Sequence, residues 1–248
     1  MECRRALNPS GLPGVDYALN PYAGCSHGCI YCYAPEVTHS EWKGWRIPGV
    51  RENIASRLAR EVGALSGTVC IGTSTDPYQE AEYRFELTRR CLEVLSRTDM
   101  RVSVMTKSGL VTRDMDLISG MDHSVCMTVT NTDISVCRRT EPGAPPPAER
   151  LDAMRRMTDA GMRVICLVGP ILSTLEGKES ELADAVIGTG VHAVCMDRLN
   201  PRPDLGARLE RMGIRGSRSA YDRLRVLFTD AGLDVSDAFG PGWHDQTL

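Results

Sequence analysis

The chain has 248 residues, 42% of them hydrophobic and 25% charged, which is enough apolar material for one sizeable core and a length that a single barrel domain commonly occupies. No apolar run approaches the roughly 18 residues of a membrane span, and no basic-then-apolar stretch opens the chain, so membrane insertion and secretion find no support and a cytoplasmic location is expected. A net charge of -3, from 29 Lys and Arg against 32 Asp and Glu, argues against a molecule whose whole surface is built to hold nucleic acid.

In chain order, a weak strand is expected at residues 16–19, followed by a cysteine-bearing loop and an amphipathic helix at 50–62. Short β-branched runs bounded by Gly, Pro, Asp or Ser predict strands at 68–72, 101–106, 124–130, 163–168 and 192–196. Apolar residues at helical spacing predict helices at 82–95, 113–118, 147–160, 179–187 and 219–229. Pro147 suits a first helical turn, where its missing N–H costs nothing, and Gly161 closes that helix. Strand and helix alternate throughout, which implies parallel strands joined by right-handed crossovers. An α/β fold is expected, either a (βα)6 partial TIM barrel or an open parallel sheet. The charged residues of 82–95 (Glu82, Arg84, Glu86, Arg89, Arg90, Glu93) read as mostly a solvated face. The Pro-, Gly- and Arg-rich stretch 200–216 reads as a mobile or substrate-facing segment. Trp42, Trp45 and Trp243 read as core or rim packing residues.

Ten cysteines are the compositional anomaly. In a reducing compartment they are metal ligands, catalytic groups or small core residues rather than a disulfide framework. Cys70, Cys126, Cys166 and Cys195 on strands and Cys91 on a helix read as core packing, while Cys3 and Cys137 are unassigned. Cys25, Cys29 and Cys32 differ, lying in the segment NPYAGCSHGCIYCYA, residues 20–34, at spacing Cys-x3-Cys-x2-Cys. Three thiolates on one loop suit a four-iron cluster that keeps one iron open for reaction. Zinc is the alternative, but a closed zinc site wants four ligands; His27 is the candidate fourth, and no second Cys-x2-4-Cys knuckle is present. Polar residues recur at successive predicted strand ends: Thr75 and Asp76, Thr106 and Lys107, then Thr128 and Thr130. Such a series suggests a lined pocket at the end of the sheet where these folds gather function.

The cysteine loop, with Tyr31 just before its last cysteine, resembles the signature of radical S-adenosylmethionine (SAM) enzymes. GTSTDPY at 72–78, Thr88 with Arg89, residues 106–108, Thr128, Thr130 and Glu141 with Pro142 extend the likeness to the spore photoproduct lyase-like branch, over about residues 16–196. The resemblance implies a [4Fe-4S] cluster on Cys25, Cys29 and Cys32, with SAM chelated to the open iron through its amino and carboxylate groups. An electron from a donor such as a flavodoxin or ferredoxin would cleave the cofactor, giving a 5'-deoxyadenosyl radical that takes a hydrogen atom from the substrate. It also implies a cofactor site drawn from Tyr31, Thr75, Asp76, Lys107, Thr128 and Thr130, with Lys107 paired to the cofactor carboxylate. One domain is implied, with its core at about 16–196 and a helical extension at about 197–248. In the lyases that repair thymine dimers, a cysteine three residues before the aspartate matching Asp76 donates the closing hydrogen atom. Thr73 stands there in this chain, which points away from dimer reversal. From Arg198 to Arg225, eight arginines against Asp204, Glu210 and Asp222 leave a local excess of five positive charges. Such a segment suits a phosphate-bearing substrate, a nucleotide or nucleic acid, unless it is a surface helix laced by salt bridges. Glu141 is expected to bond a ribose hydroxyl or an arginine such as Arg139. The competing reading is a non-catalytic iron-sulfur or zinc scaffold.

Overall fold

The structure, a computed structural model, describes residues 1–238. Its strands are β1 (Leu7–Pro9), β2 (Tyr17–Leu19), β3 (Tyr22–Ala23), β4 (Gly49–Val50), β5 (Thr68–Ile71), β6 (Arg101–Thr106), β7 (His123–Thr128), β8 (Val164–Ile171), β9 (Ala193–Arg198) and β10 (Asp234–Asp237). Its helices are α1 (Ala34–Val37), α2 (Trp42–Trp45), α3 (Ile54–Glu61), α4 (Glu82–Phe85), α5 (Leu87–Leu95), α6 (Met115–Ile118), α7 (Ile134–Thr140), α8 (Pro147–Asp159), α9 (Glu179–Ile187), α10 (Pro203–Glu210) and α11 (Arg218–Asp230). Eight strands form one sheet in the order β1-β2-β5-β6-β7-β8-β9-β10, parallel throughout except for the antiparallel β1–β2 pair. β3 and β4 make a separate antiparallel ribbon.

The period of two along each strand sorts its side chains into two environments. Val69, Ile71, Val102, Val104, Val125 and Met127 are fully buried in the core that also holds Leu58 of α3, Leu92 of α5 and Met154 of α8. The alternate residues, Cys70, Ser103, Met105, Cys126, Leu167 and Cys195, line a cavity. Each large aliphatic side chain so buried contributes about 1.5–3 kcal/mol, so the helix-facing half of each strand holds the sheet together and leaves the other half available for chemistry.

Several expectations need correction. The helix expected at 82–95 is two helices, because Glu86 adopts a left-handed φ of 47° between α4 and α5. The cause is Glu82, whose carboxylate accepts from the backbone N–H groups of Thr88 (3.0 Å) and Arg89 (3.3 Å) and so caps α5. Glu82 is therefore fully buried and not part of a solvated face. The helix expected from residue 50 begins at Ile54, since Val50 pairs with Tyr22 in the ribbon. The stretch 200–216 is not a free segment but folds as α10, started by Pro203 in its first turn. The segment after Met196 also adds a strand, β10, to the sheet edge beside β9. Trp45 is buried and Trp42 lies half-exposed beneath Arg208, whereas Trp243 falls outside the described residues.

Candidate active site

Distant backbone holds the loop that carries the three cysteines. The Cys25 N–H donates to the Trp45 carbonyl (2.8 Å), the Ile30 N–H to that of Thr140 (2.9 Å), and the Gly143 N–H to that of His27 (2.9 Å). Buried Gln79 donates through Nε2 to the Gly24 carbonyl (3.1 Å) and accepts at Oε1 from the Ser26 N–H (2.8 Å). Glycine makes this approach possible. A Cβ on Gly143 would lie 2.2 Å from the Ser26 carbonyl oxygen, and one on Gly24, whose φ is +88°, would lie 2.5 Å from that of Trp45.

Cys25, Cys29 and Cys32 all face one cavity of about 490 Å³, which runs from the loop past the C-terminal ends of β5 to β9. Soft thiolates converging from a rigid loop are the donor set an iron-sulfur cluster takes. Among the described residues, no three His, Cys, Asp or Glu side chains are grouped as one metal ion would need them. A cluster asks less, because each thiolate takes its own iron. His27 is buried and its Nδ1 lies 3.4 Å from Asp76 Oδ2. Burial lowers its imidazole below the ordinary range, so it stays largely neutral despite that carboxylate.

Five of the six expected cofactor residues (Tyr31, Thr75, Asp76, Lys107 and Thr128) line the cavity. They do not all present free groups to it. Asp76 accepts at Oδ1 from the Thr106 hydroxyl (2.7 Å) and the Tyr78 N–H (2.9 Å), and at Oδ2 from the Lys107 N–H (2.7 Å), tying the end of β5 to the end of β6. The Thr75 hydroxyl donates to the Tyr22 carbonyl (3.2 Å). Lys107 reaches over the Tyr31 ring, its Nζ 5.5 Å from the centroid. Burial alone would lower its ammonium, yet Cys29, Glu141 and Asp76 outweigh that and raise it, so Lys107 is cationic. Thr130 is turned away, its hydroxyl donating to Glu141 Oε1 (2.7 Å).

Glu141 does bond an arginine, but it is Arg150 of α8 rather than Arg139, and both side chains are fully buried. Glu141 also accepts from the Tyr31 hydroxyl, and Arg150 donates to the Thr128 carbonyl (3.2 Å) and the Pro145 carbonyl (2.9 Å). Burial would raise the Glu141 carboxyl, but the charges of Arg150 and Lys107 hold it down to about 2. This network fixes the Tyr31 ring in the cavity wall. Arg150 was legible in one respect: it shares the helical phase of buried Ala153, Met154 and Met157, where a charged residue implies a buried partner.

Residues beyond the predicted set also reach the cavity. Asp197, at the end of β9, faces it from the side opposite β5, and Gly169 makes its room, since a Cβ there would lie 2.5 Å from Asp197 Cβ. Burial, with help from Asp237, pushes the Asp197 carboxyl up to about 7. Asn200 is also buried and lines the cavity, and among the described residues its Oδ1 has no hydrogen-bond partner. The arginines expected to form a phosphate surface are largely engaged within the protein. Arg215 pairs with Glu176 (3.5 Å), Arg218 with Asp222 (3.0 Å) and Arg225 with Asp237 (2.6 Å), while Arg198 lies over the Tyr221 ring (4.5 Å). The helix laced by salt bridges is the closer description of that segment.

Residues 19–185 match the family model of the Radical SAM superfamily. An uncharacterized protein of Methanocaldococcus jannaschii is 29% identical over 180 residues, covering 71% of this chain and 68% of that protein. An uncharacterized protein of Mycobacterium tuberculosis H37Rv is 34% identical over 205 residues, 75% of this chain but only 59% of that protein, so the match spans about three fifths of the mycobacterial relative. In fold, the chain is similar to a spore photoproduct lyase variant solved with AdoMet and a dinucleoside spore photoproduct. The TM-score is 0.71 at 16% identity, over 96% of this chain and 81% of that one. Streptococcus suis SuiB bound to S-adenosylmethionine aligns at a TM-score of 0.53 and 14% identity, over 89% of this chain and 46% of that one. No helix among the described residues is long and apolar enough to cross a membrane.

Proposed function

Because the chain belongs to the radical SAM superfamily, whose enzymes use a [4Fe-4S] cluster and S-adenosylmethionine, we propose that Cys25, Cys29 and Cys32 hold the cluster at the mouth of the cavity and that the cofactor enters beside them. The observation that carries this reading is the convergence of the three cysteines and the Lys107 side chain on one cavity at the C-terminal ends of parallel strands. The sheet then acts as a partial (βα)6 barrel, with residues 16–196 as its core. When bound, cluster and cofactor would supply one-electron cleavage of the sulfonium C–S bond, releasing methionine, and hydrogen-atom abstraction from the substrate.

The chain's own residues bind, orient and exclude water. Lys107, cationic and poised over Tyr31, would pair with the cofactor carboxylate, and Thr128 would contact its polar part. Asp76, Thr75 and Thr130 spend their groups on protein partners, so they hold the strand ends and Tyr31 in place. The likeness to a lyase solved with a dinucleoside supports a nucleotide or nucleic-acid substrate. Thr73, which accepts from Asn20 Nδ2 (3.0 Å), is a poor hydrogen-atom donor beside a thiol, so the reaction is a modification other than dimer reversal. A flavodoxin or ferredoxin in the cytoplasm would supply the electron.

Anaerobic reconstitution tests the reading. The protein should load close to four irons and four sulfides and little zinc, and should release 5'-deoxyadenosine from the cofactor under reductant. Any one of Cys25→Ala, Cys29→Ala or Cys32→Ala should abolish loading. Lys107→Ala should keep the cluster but weaken cofactor binding by about 1.5–3 kcal/mol, the worth of a charge-assisted bond. Iron content unchanged in all three cysteine variants, or no 5'-deoxyadenosine from a loaded protein, would leave a metal-holding scaffold.

A further inference from the structure

α10 carries Asp204, Arg208 and Glu210 and so is not itself basic, but it makes specific contacts in the fold. Three contacts seat it on the cysteine loop, across about 170 residues of chain. The Glu36 carboxylate of α1 accepts from the N–H groups of Asp204 (3.3 Å) and Leu205 (2.8 Å), satisfying free donors at the N-terminus of α10. Leu205 and Leu209, each 1% exposed, pack with Cys29 and Tyr31 in a small core separate from the main one. Arg208 then spans the loop backbone, donating from Nε to the Ile30 carbonyl (3.1 Å) and from Nη2 to the Cys32 carbonyl (2.6 Å). Its guanidinium lies 4.2 Å from the Trp42 ring centroid, which fixes the fork from its other face.

We propose that Arg208 is a positioning residue for the cluster and that α10 is the clamp holding the cysteine loop in its ligating shape. This rests on the reading that the loop holds a [4Fe-4S] cluster. Two carbonyls that bracket Tyr31 are occupied by one rigid fork, which fixes the backbone between the second and third cysteines. A planar guanidinium does this with two donors in fixed geometry, and a lysine cannot. The same group sets a positive charge against Cys32. A positive charge favours the more negative, reduced state of a cluster and so raises its midpoint potential.

The two effects separate in two variants, measured on the reconstituted holoprotein. Arg208→Lys keeps the charge and loses the fork, so iron should pass to a chelator roughly tenfold faster while the midpoint potential, followed by EPR, stays near the parent value. Arg208→Ala loses both, so iron release accelerates and the potential falls. Arg211→Ala is the control, because Arg211 Nε bonds the Ala207 carbonyl of its own helix (2.9 Å), and it should change neither. If Arg208→Ala does not fold, Arg208→Lys still decides the clamp. Parent-like iron release in Arg208→Lys overturns it, as does weaker binding of a short oligonucleotide with iron release and potential unchanged. If the parent protein itself loads no four-iron cluster, the functional reading fails, and that failure is visible before any variant is compared.

Discussion

Glu141 and Arg150 form an ion pair with neither side chain exposed, and the two must be judged together. Removing one partner leaves the other charge buried and uncompensated, so Glu141→Gln should cost about 3–5 kcal/mol in urea unfolding at pH 7. The native carboxyl is held below its unfolded value, so the stability it confers is full above about pH 4.3 and is lost as pH falls towards about 2. Asp197 has the opposite sign. Its native carboxyl titrates near 7 against about 3.9 in the unfolded chain, so it costs nothing below that lower value and its cost is complete only above 7. Asp197→Asn should therefore stabilise the protein by about 1–2 kcal/mol at pH 8 and not at pH 3.5, as read by paired thermal melts. A gain that is equal at both pH values would remove burial of the charge as its cause. Residues of this kind were only partly legible in the sequence. The cysteine spacing and the polar strand ends are local patterns and could be read directly. The partners of Glu141 and Glu82 and the location of Asp197 depend on which strands become neighbours, which no local pattern states.

Among the elements, those with a long apolar rhythm were placed well: β6 and α9 match their expected bounds, and α8 and α11 are within a residue or so. The elements that escaped are short or polar. β10 reads Asp-Val-Ser-Asp, with one aliphatic side chain, and becomes a strand only because β9 offers it an edge. α7 was not among the expected helices, and its N-terminus is set by Asp133, whose side chain accepts from the Ser135 N–H. The loop after α7 carries Gly143, the residue that allows this segment to touch the cysteine loop. Gly143→Ala should leave the sheet and its circular dichroism unchanged, yet reduce iron retention after gel filtration by displacing Ser26. Full retention would show that the contact is dispensable.

For the whole molecule, the alternation of strands and helices was enough to call for a parallel α/β sheet, and eight strands with one antiparallel pair satisfy it. The cavity is the part that alternation did not reveal. Strand cysteines read as core packing turn out to divide, with Cys166 against the helices and Cys70, Cys126 and Cys195 facing the open side. A cavity that binds a ligand in the native state alone must stabilise the fold by mass action. At a hundredfold excess over its dissociation constant, SAM should add about 2.7 kcal/mol to the holoprotein, a rise of roughly 5–10 °C in Tm for a chain of this size. The same concentration should raise the Tm of Lys107→Ala far less. Equal shifts in both proteins would move the cofactor away from Lys107.

The seating of α10 on the cysteine loop also sets an order of events during synthesis. Cys32 and Arg208 are 176 positions apart. At roughly 5–20 residues per second, a ribosome takes roughly 10–35 s to make that interval. Through that time the nascent chain exposes three thiols that lack both their clamp and the β8 and β9 walls of the cavity. Metal acquired then would be held by a loop with no fixed shape, open to zinc and to oxidation. Durable cluster insertion is therefore expected only once α10 has been made, and stalled chains ending before Pro203 should leave the ribosome without iron, even in cells well supplied with it.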